Sequence, residues 1–153
     1  MTRTAARQLA LQLSFAVNFG SDVSPEDFFQ EEYYHALPAE GNLFAEMPDE
    51  TQMEYIRTLV DGITTHTEEL DGYIARYSQR WKLSRISKTA LSVLRCSIYE
   101  ILYMPEIPPA AAINEAVELA KGYDDPETVS FINGILGSFM RERENGGTLP
   151  EEP

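Results

Sequence analysis

Apolar residues recur at three- and four-residue spacing along most of the chain, and no stretch alternates convincingly between apolar and polar. That pattern predicts helices and no strands. It is clearest from Pro108 to Met140, where two apolar-periodic segments are each opened by a proline. In the first, Ile113, Ala116, Val117 and Ala120 fall at i, i+3, i+4 and i+7, which puts them on one helix face. Pro109 suits the first helical position, where its missing N–H is no loss, and Gly122 stands where such a helix stops. Asp125 then caps a second helix with Pro126 at its first position and Phe131, Ile135, Leu136 and Phe139 along its face. Faces this apolar must form the inner layer of a larger helical body.

The same reading extends upstream. Residues 2–19 form a first helix with Ala6, Leu9, Ala10, Leu13 and Val17 on its buried side and Gly20 at its end. Arg3 and Arg7 share a face near its start, where cations oppose the helix dipole, a placement that suits a bound anion or two solvated surface arginines. Ser24 and Pro25 open a shorter helix, SPEDFFQEEYYHAL, and 38–48 reads as a loop. Asp49 caps a third helix with Met53, Ile56, Val60 and Ile63 inward; a fourth carries Leu70, Ile74 and Tyr77 after a break near Thr64–Thr67. The basic QRWKLSRIS is an irregular link, with Trp81 and Leu83 tucked under the body. Ser87 opens a helix whose wide stripe of Leu91, Leu94, Ile98, Ile101 and Leu102 marks it as the central core helix. The chain is therefore all-α with about seven helices, a single domain over 1–143 and a disordered acidic tail over 144–153.

Charge changes this picture. The net charge is −13, which taken alone argues against nucleic acid. Yet residues 72–99 contain no acid and hold Arg76, Arg80, Lys82, Arg85, Lys88 and Arg95, half of the chain's twelve cations. Those cations either neutralise the acidic remainder or form a binding surface; basic residues interleaved with aromatics also suit single-stranded nucleic acid. The lone cysteine, Cys96, excludes an internal disulfide and fits a reducing, cytoplasmic setting. The N-terminal apolar run is interrupted by Gln8 and Gln12 and lacks a small-residue cleavage site, so it does not read as a signal peptide, and no segment is long enough to span a membrane.

Catalytic signatures are absent: there is no glycine-rich phosphate loop, no nucleophile elbow and no metal-spaced set around His35 or His66. Cys96 reads as a small core hydrophobe and Glu115 with Glu118 as solvated surface. Gly134 inside the last helix predicts close approach of a neighbouring helix. The expectation is a non-enzyme with no cofactor.

Several strings then converge. VLRCSIYEILYMPEIPPAAAINEAVELAKGY followed by FINGIL, with WKLSRI and ELDGYI upstream and R-x-x-A-R-x-x-A-x-Q-x-x-F from Arg3 to Phe15, resembles the NusB family of bacterial antitermination factors over nearly the whole chain. The resemblance implies an all-helical fold of two packed three-helix bundles and no catalysis. It implies binding of boxA-type single-stranded RNA from ribosomal-RNA leaders, together with the small-subunit ribosomal protein NusE, within an RNA polymerase antitermination complex. By position it implies RNA contact at Arg3, Arg7, Tyr77, Glu127 and Phe131, which the flanking cations Arg76 and Arg80 extend, and partner contact at Phe15, Ala90 and Leu91.

Two departures stand out. Thr4 and Ala5 occupy places where relatives commonly carry further cations, which predicts weaker binding and a shallower salt dependence. Ala90 and Leu91 replace an acid–base pair one turn before the Leu94-Arg95 element, which weakens the expected partner contact. A rival reading is an acidic protein–protein module of the same fold, compatible with a homodimer, in which RNA contact is vestigial. A second rival is the RNA-binding domain of ribosomal-RNA methyltransferases, which shares the fold, although these 153 residues contain no cofactor-binding domain.

Overall fold

The computed structural model describes residues 1–35, 44, 46–78 and 85–146. Among them the chain is helical without strands: α1 (Arg3–Asn18), a 3₁₀ turn (Pro25–Phe28), α2 (Glu31–His35), α3 (Glu50–Tyr77), α4 (Lys88–Tyr103), α5 (Pro109–Lys121) and α6 (Pro126–Gly146). The segment read as one helix from Ser24 is instead a 3₁₀ turn followed by the short α2. The third and fourth expected helices are joined in α3 across a kink at His66, whose φ of −110° and ψ of 18° are not helical. The sequence explains the kink. Thr64 and Thr65 hydroxyls donate to the carbonyls of Val60 and Asp61 at 3.1 and 2.9 Å, back-bonding that bends helices. The chain divides into two compact units, Met1–Thr65 and His66–Pro153.

In the first unit, Thr2 caps α1 by accepting from the Ala5 amide at 3.0 Å, and α1 buries Ala5, Ala6, Leu9, Ala10, Leu11 and Leu13. Gly20 ends the helix region at a φ of 100°, which a side chain would strain. Asp49 and Gln52 cap α3 reciprocally: the Gln52 amide donates to Asp49 Oδ1 at 2.8 Å, and the Asp49 amide to Gln52 Oε1 at 2.9 Å. Ile56, Leu59, Val60 and Ile63 then face inward. Arg57 ties α3 to the 3₁₀ turn, pairing with Glu26 at 2.6 Å while lying 4.9 Å from the Phe29 ring centroid.

The second unit is built on α4. Every residue from Ala90 to Ile101 is buried, so this helix is enclosed on all sides, as its wide apolar stripe predicts. It packs on α5 and α6, which also pack on each other. Ser87 caps it, accepting from the Ala90 amide at 3.0 Å. Enclosure leaves Arg95 only 7% exposed, and its guanidinium grips Asp71 of α3 through two bonds of 2.8 Å. Just after the kink, the His66 ring lies 4.5 Å from that of Tyr103, and the Tyr103 hydroxyl donates to Glu69.

Helix α5 buries Ala112, Ala116 and Ala120, leaving Ile113 and Val117 half-buried, so the inner stripe lies one row from the expected one. These small residues let backbones approach closely; Ser97 Oγ of α4 donates to the Ala112 carbonyl at 3.4 Å. On α6, Asp125 accepts from the Thr128 amide at 2.7 Å, and Ile132, Ile135, Leu136 and Phe139 are buried. Phe131, expected in the core, is only half-buried. Gly134 also differs: it is exposed, and a Cβ there would meet nothing within 4 Å, so no helix approaches it. Helix α6 continues to Gly146, past the expected start of the tail at 144. Loop residues 38–43 and 45, and the tail from 147, lie outside the described residues.

Two stability measurements follow. Asp71→Ala strands a buried guanidinium and lowers unfolding free energy by about 3 kcal/mol in urea denaturation. Gly134→Ala, unobstructed on an exposed helix face, raises it by up to about 1 kcal/mol; a loss would show that the site is crowded.

Candidate nucleic-acid interface

Helix α3 ends in Arg76 and Tyr77, and the C-terminal half of α6 forms the surface beneath them. The Tyr77 ring stands edge-on to Phe139, with centroids 6.4 Å apart and planes at 77°. Its hydroxyl donates to the Glu142 carboxylate. Burial, and then the bond to Glu142, push the Tyr77 phenol up to about 12. Arg76 Nε lies 3.6 Å from the same carboxylate. Tyr73 meets Phe139 from a second direction, centroids 5.4 Å apart, and the Arg143 guanidinium lies 5.8 Å from that ring.

Further along α6, towards its start, Glu127 is exposed in the first turn and Phe131 is half-buried. Phe131 and Phe139 are eight residues apart in the sequence, or about 12 Å along a helix axis. Phe131, Ile135 and Phe139 fall at i, i+4 and i+8, so the aromatic at the head of α6 and the one under Tyr77 belong to one stripe. Asp125 sits just before them, its carboxyl held below the usual range by the Thr128 amide. The second unit thus brings together Arg76, Tyr77 and Glu142, with Glu127 and Phe131 nearer the other end of α6.

In the first unit, Arg3 is exposed in the first turn of α1, and half-buried Arg7 lies 5.8 Å from the Tyr55 ring centroid. No acid accompanies them in that turn. Arg80 lies outside the described residues, as do Trp81, Lys82 and Leu83.

The acid-free window is less of a basic surface than its sequence suggests. Arg95 is consumed by Asp71 and Arg76 faces Glu142, so chain neighbours without acids do not mean spatial neighbours without acids. Arg85 and Lys88 are exposed. Of the expected partner-contact residues, Ala90 is fully buried and Leu91 is 8% exposed on the enclosed α4. Phe15 is half-buried, its ring 5.1 Å from Phe19. Glu142 is the residue that sequence reasoning missed. It lies 65 positions from Tyr77, and its only local signal is the mixed-charge run from Arg141 to Glu144. Among the described residues no group of three His, Cys, Asp or Glu side chains could hold a metal ion, and no helix is long and apolar enough to cross a membrane.

Among the described residues the chain is an all-helical protein, and comparison identifies its family. The profile of the NusB family matches residues 4–141. The chain is 40% identical to the transcription antitermination protein NusB of Acetivibrio thermocellus, over 92% of this chain and 90% of that protein. Against its namesake from Lactiplantibacillus plantarum it is 35% identical, over 95% and 99%. The solved T. maritima NusB structure superposes with a TM-score of 0.59 at 31% identity, covering 87% of this chain and 91% of that one. A chain in a structure described as a plectonemic RNA supercoil shares the fold, with a TM-score of 0.69 at 23% identity over 94% and 97%. The chain belongs to the NusB family.

Tyr77 makes one further expectation measurable. Its proton is held more tightly in the folded state than in the unfolded chain, where the value is about 10. Its contribution to stability is therefore full below pH 10 and fades as pH rises towards about 12. The stability difference between wild type and Tyr77→Phe, measured by urea denaturation across pH 8–12, is constant at first and then shrinks above about pH 10.

Proposed function

We propose that the chain is a transcription antitermination factor that binds boxA-type single-stranded RNA of ribosomal-RNA leaders together with the small-subunit ribosomal protein NusE. The observation that carries this reading is the match to proteins named for antitermination over nine-tenths of the chain. The geometry is consistent with it. Exposed Arg3 supplies a phosphate contact, and the rings of Tyr77 and Phe131 offer stacking faces, worth roughly 1–3 kcal/mol per base. In this reading the two compact units correspond to the fold's two three-helix bundles, the complex acts on RNA polymerase in the cytoplasm, and no cofactor or catalysis takes part.

A second reading has a specific observation behind it. With Arg95 and Arg76 both facing acids and a net charge of −13, the fold could serve as an acidic protein–protein module that binds a basic partner or a second copy of itself. Partner affinity that survives Arg3→Ala and Arg7→Ala, with no measurable RNA binding, would select it.

Fluorescence anisotropy with a short labelled boxA-type RNA, with and without the ribosomal protein, decides between them. The expected result is tighter binding than to a scrambled RNA, and equal affinity would sink the proposal. Tyr77→Ala and Phe131→Ala each weaken binding by roughly one to two orders of magnitude while helical circular dichroism is retained.

A further inference from the structure

We propose that Glu142 is an internal competitor for RNA phosphate, holding the place beside Arg76 and Tyr77 that a backbone phosphate would otherwise take. The inference rests on the RNA-binding reading above and deepens it. Two groups suited to RNA, a guanidinium and a phenol, converge on one carboxylate. The Tyr77 hydroxyl donates to it, and Arg76 Nε lies 3.6 Å from it. A carboxylate offers the same negative charge and acceptor oxygens as a phosphate, so it satisfies both groups in the same manner. The pair also lies within reach of a passing strand: the Glu142 side chain is 39% exposed and that of Arg76 25%. The other cations of this turn are directed elsewhere. Arg141 Nη2 donates to Ser138 Oγ at 3.1 Å, and Arg143 lies over Phe139. Glu142 therefore lowers RNA affinity in two ways. It removes Arg76 from the set of cations that release counterions, and it sets a negative charge where the strand must pass.

The test is anisotropy titration of a short labelled single-stranded boxA-type RNA at several salt concentrations. Glu142→Gln keeps an acceptor for Tyr77 and removes the charge. It tightens binding about fivefold and steepens the slope of log affinity against log salt by about 0.7, the increment for one more phosphate contact on a single strand. In the double variant Arg76→Gln/Glu142→Gln both gains vanish. Unchanged or weaker binding by Glu142→Gln, with helical circular dichroism retained, overturns the inference while leaving the RNA-binding reading standing. Arg76→Gln alone gives a second test that needs no Glu142 variant. It leaves the wild-type salt slope unchanged, because Glu142 already neutralises that cation; a slope shallower by about 0.7 overturns the inference. Absence of RNA binding by wild type in every condition overturns both readings together.

Discussion

The second unit depends on one buried ion pair. Helix α4 is enclosed on all sides, so any charge on it is taken out of water, and Asp71 meets Arg95 there with two bonds. The fork of the guanidinium matches the carboxylate in both distance and direction, which fixes the rotation of α4 against α3 as well as their separation. Apolar packing alone tolerates sliding; a bidentate charge pair does not. The alanines of α5 and the buried face of α6 are laid on a helix whose register is already set.

Most of this architecture was readable from local chemistry. Capping at Ser87, Asp49 and Asp125, the prolines at 109 and 126, and the break in α3 all lie within a few residues of the groups that cause them. What was not readable came from enclosure. A wide stripe on α4 that includes Leu91 marks a core helix, yet spacing alone did not reveal that Ala90 would be sealed inside as well. Phe131 and Ile132 are adjacent and equally apolar, and only the packing partner decides which one turns inward. Gly134 was read as a contact point from its conformational cost, and the structure shows open space there.

The candidate site shows the same limit in its charges. Runs along a sequence count neighbours in one dimension, whereas ion pairs are made in three. Arg95 and Arg76 both fall in the acid-free window, yet they face acids 24 and 66 residues away. Arg3 stays exposed in the first turn of α1, whereas Arg7 is half-buried beside the ring of the distant Tyr55. Local signals therefore suggested the aromatic and N-terminal cationic parts of the candidate site, whereas long-range pairing decided that Arg95 and Arg76 face acids.

The contact between Tyr77 and Glu142 also bears on the order in which the protein is made. Tyr77 leaves the ribosome long before Glu142, and a half-synthesised chain has nothing on which to seat that ring. The surface under Tyr77 comes into being only when α6, the last helix, docks. Closing so long a loop contributes nothing until the helices between have packed. A nascent or partly unfolded chain thus lacks this part of the candidate surface, and its presence reports that the second unit is complete.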